Sequence, residues 1–355
     1  MNASPGPGAV TARAQTGAAT REGIVELPGE LTLHHGGKLT GARIAWRLVG
    51  PPSGPIVCAL GSTGTNRCVW TGEDGARGWW SEVVGPGRAL DVSRYRILGM
   101  DYLGGNGESS SPQAGVSFPS ISTYDQAEAL LQVVNHLGLK SLRAVVGGSY
   151  GGMVALAFGE RYPEQVSHLV VMCAVDRPHP LATAWRCIER RIVRLAIAAG
   201  RGSEGVALAR ALVLSTSRSA EEFAARFAAT PVLEGEHFVF PIEKYLLSQG
   251  EQAATRDRPE AFLCLSESMD LHSVDASRIF VPTTVVGVRE DQRVPLTALR
   301  ALVARLGAAR FYEISSLYGH EGFLRESEQL RGIFATALGS APEPPAESAT
   351  GGHEA

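Results

Sequence analysis

Val145-Val146-Gly147-Gly148-Ser149-Tyr150-Gly151-Gly152-Met153 sets a serine between glycines two positions to either side, after an apolar run and ahead of a helix-like segment. Residues 144–146 read as the end of a buried strand, and residues 154–158 as a helix packed on the sheet. Gly147 and Gly151 permit a strand-to-helix turn too sharp for side chains. Such a turn lifts the serine hydroxyl into the open and aims the Tyr150 backbone N–H at a would-be oxyanion. The chemistry it serves is acyl transfer through a covalent serine ester. The pentapeptide alone also fits an ordinary glycine-rich turn, so its partners decide.

A nucleophilic serine needs a base and an acid to orient it, and on elbows of this kind they follow in the chain order Ser, Asp, His. Residues 281–288 read as a late strand, and Asp291 lies just past its end, ahead of Val294-Pro295. Residues 310–314 read as the last strand, and His320 lies in the loop that follows, where open α/β sheets assemble their sites. Alone, each would be a surface acid or a satisfied loop histidine. Together, in order and each after a strand, Ser149, Asp291 and His320 are the expected catalytic triad. Glu290 is the rival acid, less well placed relative to Val294-Pro295. The second oxyanion donor is expected from the small residues Gly61-Ser62-Thr63-Gly64, at Ser62 or Thr63.

These residues need a scaffold, and the chain has the length for one. It has 355 residues, 44% hydrophobic and 19% charged, with a net charge of −3, as suits one or two globular units with a full core. That balance offers no electrostatic case for nucleic acid or an anionic membrane, and no apolar run reaches the roughly 20 residues of a spanning helix. Five scattered cysteines without C-x-x-C spacing favour a reducing compartment, so the expected location is the cytoplasm. No H-E-x-x-H is completed, and no metal is expected. Neither Gly61–Gly64 nor Gly104–Gly107 completes a phosphate-binding motif.

Apolar runs at 56–60, 96–100, 144–146 and 166–173 alternate with helical periodicity, notably at 123–137. Strands apolar throughout, alternating with helices, predict an α/β architecture: a mostly parallel central sheet covered by helices on both faces. Residues 24–47 read as strand pairing ahead of it. From 176 to 275 strand runs vanish, and helical patterns are expected at 182–199, 205–214, 220–227 and 259–269. This predicts a helical cap inserted between the sixth and seventh strands, with the core in 23–175 and 276–338. Tails 1–22 and 339–355, rich in Gly, Ala and Pro, are expected to be disordered.

The chain resembles the homoserine O-acetyltransferase and O-succinyltransferase family of the α/β-hydrolase fold, from about 31 to 338. The resemblance rests on Gly78-Trp79-Trp80 with Val84-Gly85-Pro86-Gly87, on Leu103-Gly104-Gly105, on the serine elbow and on Arg161-Tyr162-Pro163. It extends to Ser217-Arg218-Ser219, Arg226-Phe227 and Ser268-Met269-Asp270. It implies transfer of an acetyl or succinyl group from acyl-CoA to the hydroxyl of L-homoserine in methionine biosynthesis, with acyl-CoA as cosubstrate and no bound cofactor. It implies Ser149 as the acylated nucleophile, His320 as base, Arg218 on the amino acid's carboxylate and Glu321 on its ammonium. A homodimer is the family's habit; the other partners expected are small molecules.

The chain departs from the family in having Glu321 for the usual Asp, Tyr150 for a common methionine, and shorter loops after 60 and 101. The longer acid keeps L-serine open as acceptor, and the same triad would serve an esterase if water reached the acyl-enzyme. A non-catalytic binding module is the third alternative. Acetyl and succinyl stay open as donors; Arg67, Arg186 and Arg190 are the candidate cations for a succinyl carboxylate.

Overall fold

The computed structural model describes residues 19–339 except 28, 73–74 and 228–229. Most of the two predicted disordered tails therefore lies outside the described residues. The strands are β1 (Ala19–Glu26), β2 (Glu30–Thr32), β3 (Lys38–Thr40), β4 (Arg43–Gly50), β5 (Ile56–Leu60) and β6 (Arg96–Met100). Then come α1 (Thr123–His136), β7 (Ala144–Gly148), α2 (Tyr150–Arg161) and β8 (Leu169–Met172). An insertion follows: α3 (Pro180–Ala198), α4 (Gly202–Ser217), α5 (Ala220–Arg226), β9 (Val232–Glu234), β10 (His237–Val239), α6 (Pro241–Ala254) and α7 (Pro259–Asp270). The chain closes with β11 (Thr283–Val288), α8 (Leu296–Val303), β12 (Ala309–Ile314), α9 (Gly322–Arg325) and α10 (Ser327–Leu338).

Eight strands form one sheet in the order β1-β4-β6-β5-β7-β8-β11-β12, parallel from β6 onward, with β4 antiparallel to both neighbours. The two-residue repeat of a strand sends alternate side chains to opposite faces. Ile56, Cys58 and Leu60 of β5 therefore join the core under α1 and α2, while Val57 and Ala59 join the core under α10 with Trp80 and Phe334. Both faces being covered, the central strands carry no polar alternation.

The first strand corrects the expected tail: it starts at Ala19, so 19–22 are ordered. No apolar pattern announces them because backbone pairing to β4 holds them, Ala19 opposite Gly50 through Glu26 opposite Arg43. Glu22 adds an ion pair to the buried Arg47 at 3.1 Å.

The insertion is not all helical either. β9 and β10 make a hairpin of three-residue strands around Gly235, whose φ of 62° suits a turn, and α6 was not legible beside it. Strands this short leave no period to read, and of α6 only Gly250 is buried. Proline stands at the start of α3, α6 and α7, where its missing N–H costs nothing. Among the described residues no helix is long and apolar enough to cross a membrane.

His272 ties the end of α7 to the sheet layer: its Nδ1 lies 2.8 Å from Thr123 Oγ1 at the start of α1, and its Nε2 lies 3.0 Å from the Val175 carbonyl. Burial lowers its pKa from 6.5 to about 3. Between those values the unfolded chain binds a proton here that the folded chain refuses. This contribution to stability is thus full above pH 6.5 and falls as the pH drops toward 3. We expect the urea midpoint to decline across that window and H272Q, though weaker at pH 7, to decline less steeply. Equal slopes for the two proteins would refute the assignment.

Candidate active site

The carboxyl ends of β7, β8, β11 and β12 converge on one spot. Ser149 links β7 to α2 with φ 55° and ψ −120°, and Cys173, just past β8, has φ 51°; they are the non-glycine residues at positive φ among those described. Each such conformation costs about 1–3 kcal/mol and persists only where surroundings over-determine it. Around Ser149 they do. Its N–H donates to the Met172 carbonyl at 2.9 Å, and Gly151 N–H donates to the Gly61 carbonyl at 2.9 Å. A β-carbon on Gly147 would stand 2.1 Å from the Gly151 oxygen, and one on Gly148 would stand 2.4 Å from the Phe323 ring. Glycine is required at both by close approach.

Ser149 Oγ lies 2.9 Å from His320 Nε2, and His320 Nδ1 lies 2.7 Å from Asp291 Oδ2. All three residues are buried. Asp291 Oδ1 accepts from the backbone N–H groups of Arg293 at 2.8 Å and Val294 at 3.0 Å, which fixes the carboxylate plane. The Cys173 thiol also approaches Asp291; its pKa is pushed up, first by burial and then by that carboxylate, so it stays protonated. Glu290 is turned away, accepting from Ser315 Oγ at 2.6 Å and Ser316 N–H at 2.8 Å. In this geometry the imidazole can take the serine proton while the carboxylate holds its other nitrogen.

Two tryptophans brace the loops that carry these groups. Trp79 Nε1 donates to the Asn66 carbonyl at 2.9 Å, beyond the Ser62-Thr63 loop, and Trp80 Nε1 donates to the Phe323 carbonyl at 3.0 Å, beyond His320. The His320 loop is pinned on its other side by the insertion, where Ser219 Oγ donates to the Leu317 carbonyl at 2.7 Å.

Ser62 and Thr63 both line a cavity of about 120 Å³ together with Ser149 and His320. The Tyr150 backbone N–H has no acceptor among the described residues. Its phenol is buried elsewhere, 2.7 Å from Ser268 Oγ on α7 and 3.2 Å from Gln126 Nε2, tying the elbow to the insertion.

Glu321 lines the cavity, but Arg218 does not. Arg218 lies behind it, with Nη2 2.9 Å from the Glu321 carboxylate and Nη1 3.3 Å from Glu222, facing a separate open groove. The two expected substrate anchors thus meet each other in this structure. Of the three candidate cations, only Arg186 is on the cavity wall. Arg67 is paired with Asp101 at 2.6 Å and with Glu108, and Arg190 bonds to Asp270 at 2.6 Å and to Ser266.

Glu189, Arg210 and Arg293 also line the cavity, and sequence reading missed them. Arg293 is paired with Glu189 at 2.8 Å, Arg186 with Asp270 at 2.5 Å and Arg210 with Asp257 at 2.5 Å. Asp270 closes the Ser-Met-Asp motif, so that motif joins three tasks: Ser268 to the elbow, Met269 to the cavity wall, Asp270 to the arginines.

Residues 70–327 match the sequence pattern of the alpha/beta hydrolase fold. A homoserine O-succinyltransferase of Xanthomonas campestris is 36% identical over 334 residues, covering 92% of this chain and 88% of the relative. A homoserine O-acetyltransferase of Thermus thermophilus is 35% identical over 286 residues, covering 74% of this chain and 73% of the relative. The crystal structure of a homoserine O-acetyltransferase from Bacillus anthracis superposes with a TM-score of 0.81 at 17% identity, over 91% of this chain and 98% of that one. The chain therefore belongs to the homoserine O-acetyltransferase and O-succinyltransferase family of the α/β-hydrolase fold, and it is an acyltransferase.

Proposed function

We propose that this protein transfers an acyl group from acyl-CoA to the side-chain hydroxyl of L-homoserine, carrying it on Ser149 between the two half-reactions. The observation that carries this is the hydrogen-bonded chain Ser149–His320–Asp291 at the floor of a charged cavity, in a chain related over most of its length to homoserine acyltransferases.

His320 Nε2 takes the Ser149 proton as Oγ attacks the thioester carbonyl. The carbon–oxygen bond forms, the carbonyl oxygen becomes an oxyanion between the Tyr150 N–H and a donor from Ser62 or Thr63, and the carbon–sulfur bond then breaks. The departing thiolate takes the proton back from His320, leaving neutral coenzyme A thiol and an acyl-serine. The acceptor hydroxyl gives its proton to His320 and attacks the ester, and the proton returns to Ser149 as that bond breaks. Asp291 holds the imidazole with Nδ1–H toward itself and balances its charge when Nε2 is protonated.

Glu321 is placed to face the acceptor's ammonium. Arg218, paired with Glu321 at 2.9 Å, would exchange that partner for the acceptor's carboxylate. The inserted helices act as a cap that keeps water from the acyl-enzyme; an esterase has no use for such amino-acid anchors. The cytoplasm, where acyl-CoA and amino acids occur together, is the setting that fits, with small molecules as partners.

The test crosses acetyl-CoA and succinyl-CoA with L-homoserine and L-serine, following thiol release. The expected result is release that depends on the amino acid, with L-homoserine preferred; L-serine is included because Glu321 reaches one methylene further than the family's usual aspartate. Thiol release indifferent to either amino acid would make the protein a hydrolase and overturn the proposal.

A further inference from the structure

Between Gly147 and Gly152 the chain reads Gly-Gly-Ser-Tyr-Gly-Gly, so four of these six residues have no side chain and a fifth, Ser149, uses its own in the reaction. Glycine permits the sharp turn but leaves it conformationally free. Only Tyr150 offers a side chain by which the turn can be gripped, and its backbone N–H is the donor expected to face the oxyanion. The side chain is fully buried. Oη lies 2.7 Å from Ser268 Oγ, 118 residues along the chain on α7, and accepts from Gln126 Nε2 of α1 at 3.2 Å. Gln126 is itself locked, accepting from the Leu103 N–H at 3.0 Å and donating to the Leu103 carbonyl at 2.8 Å. Burial pushes the phenol pKa up, so Oη keeps its proton.

The same side chain reaches toward the other half of the expected oxyanion hole. The Tyr150 ring meets the Tyr102 ring edge-on, with centroids 4.9 Å apart and planes at 75°. Tyr102 Oη donates to the Gly61 carbonyl at 2.8 Å, which also accepts from the Gly151 N–H at 2.9 Å. Gly61 opens the loop of Ser62 and Thr63, and a β-carbon on Gly151 would stand 2.2 Å from the Leu60 oxygen just before it. Elbow and loop thus touch through their backbones, with two buried tyrosines behind them. One of those tyrosines is bonded to α7, which walls the cavity with Phe262, Ser266 and Met269.

We infer that the Tyr150 phenol is a positioning group: held by Ser268 and Gln126, it fixes the Tyr150 backbone N–H on the oxyanion, so that stabilisation of the tetrahedral intermediate depends on a contact with the insertion. This deepens the function proposed above and rests on Ser149 carrying the acyl group. The carbonyl oxygen takes up full charge only as its carbon becomes tetrahedral. A misplaced donor therefore weakens the transition state and leaves ground-state binding alone.

The test is Y150F, which removes Oη and keeps the ring, while Gln126 keeps Leu103 as its partner. We expect kcat to fall about tenfold, a fraction of the roughly 100- to 1000-fold lost when an oxyanion donor is removed outright, with KM for the amino acid and for acyl-CoA within about twofold. A trifluoromethyl ketone analogue of acyl-CoA reads the donor directly. Ser149 Oγ adds to its carbonyl carbon, the serine proton passes to His320, and the carbonyl oxygen becomes an oxyanion with no thiolate to expel. Y150F should weaken this adduct about tenfold and leave binding of the matching thioether, which has no carbonyl, unchanged. S268A removes the partner on the insertion and should give the same pattern at about threefold, and Y150F/S268A should lose no more than Y150F does. A lowered melting temperature without these selective losses would make the contact a packing feature and overturn the inference, as would equal weakening of ketone and thioether. An adduct on Ser149 that neither variant weakens would overturn the inference alone. No adduct on Ser149 in the wild type would overturn the acyl-enzyme beneath it.

Discussion

Replacing Ser149 with alanine is expected to reduce acyl transfer by about five to six orders of magnitude and to abolish the covalent intermediate. The substitution removes one oxygen, the atom 2.9 Å from His320 Nε2, and changes little else. Alanine at φ 55° is strained no more than serine is, and the bonds that hold the elbow are made by backbone, so S149A should unfold at nearly the wild-type temperature. Wild-type protein incubated with acyl-CoA and no amino acid should carry an acyl group on the peptide containing Ser149, and S149A none. If S149A kept more than about one part in a hundred of the activity, or if the adduct mapped to another residue, the covalent route through this serine would be wrong.

Asp291→Asn should cost roughly four orders of magnitude in kcat, for a reason specific to how the carboxylate is held. Oδ1 accepts two backbone N–H groups, from Arg293 and Val294, so the amide oxygen of asparagine must occupy that position. The amide NH2 then faces His320 Nδ1 in place of Oδ2, which lies 2.7 Å away in the native protein. A donor there forces the imidazole into the tautomer with its proton on Nε2, aimed at Ser149 and unable to accept. The fold should survive, because the substitution is isosteric and the two N–H groups keep their acceptor. A loss below about tenfold would mean that Asp291 is not the group orienting His320.

The meeting of Ser149, His320 and Asp291 was legible in the sequence because the signals are local. A glycine at 147 and at 151, an apolar run before them and a helix after them dictate a sharp turn, whatever the rest of the chain does. Asp291 and His320 could be placed because each closes a readable strand at its carboxyl end, and a parallel sheet brings such ends to one edge. Apolar strands buried on both faces likewise announced the layered architecture. The first strand escaped because its order comes from pairing with β4 and not from its own side chains. The hairpin β9–β10 and helix α6 escaped because one is too short and the other too little buried to leave a pattern.

What only the tertiary structure decided is which charge meets which. Arg186, Arg210 and Arg293 come from two helices and a loop, and their partners Asp270, Asp257 and Glu189 stand 84, 47 and 104 residues away along the chain. No spacing rule links residues so far apart. The same holds for Arg218 and Glu321, whose pairing depends on the α4–α5 junction resting on the His320 loop. Periodicity and turn chemistry determined the backbone and the serine elbow because they act between near neighbours. The charge pattern of the cavity follows from helix packing, a property of the folded chain as a whole.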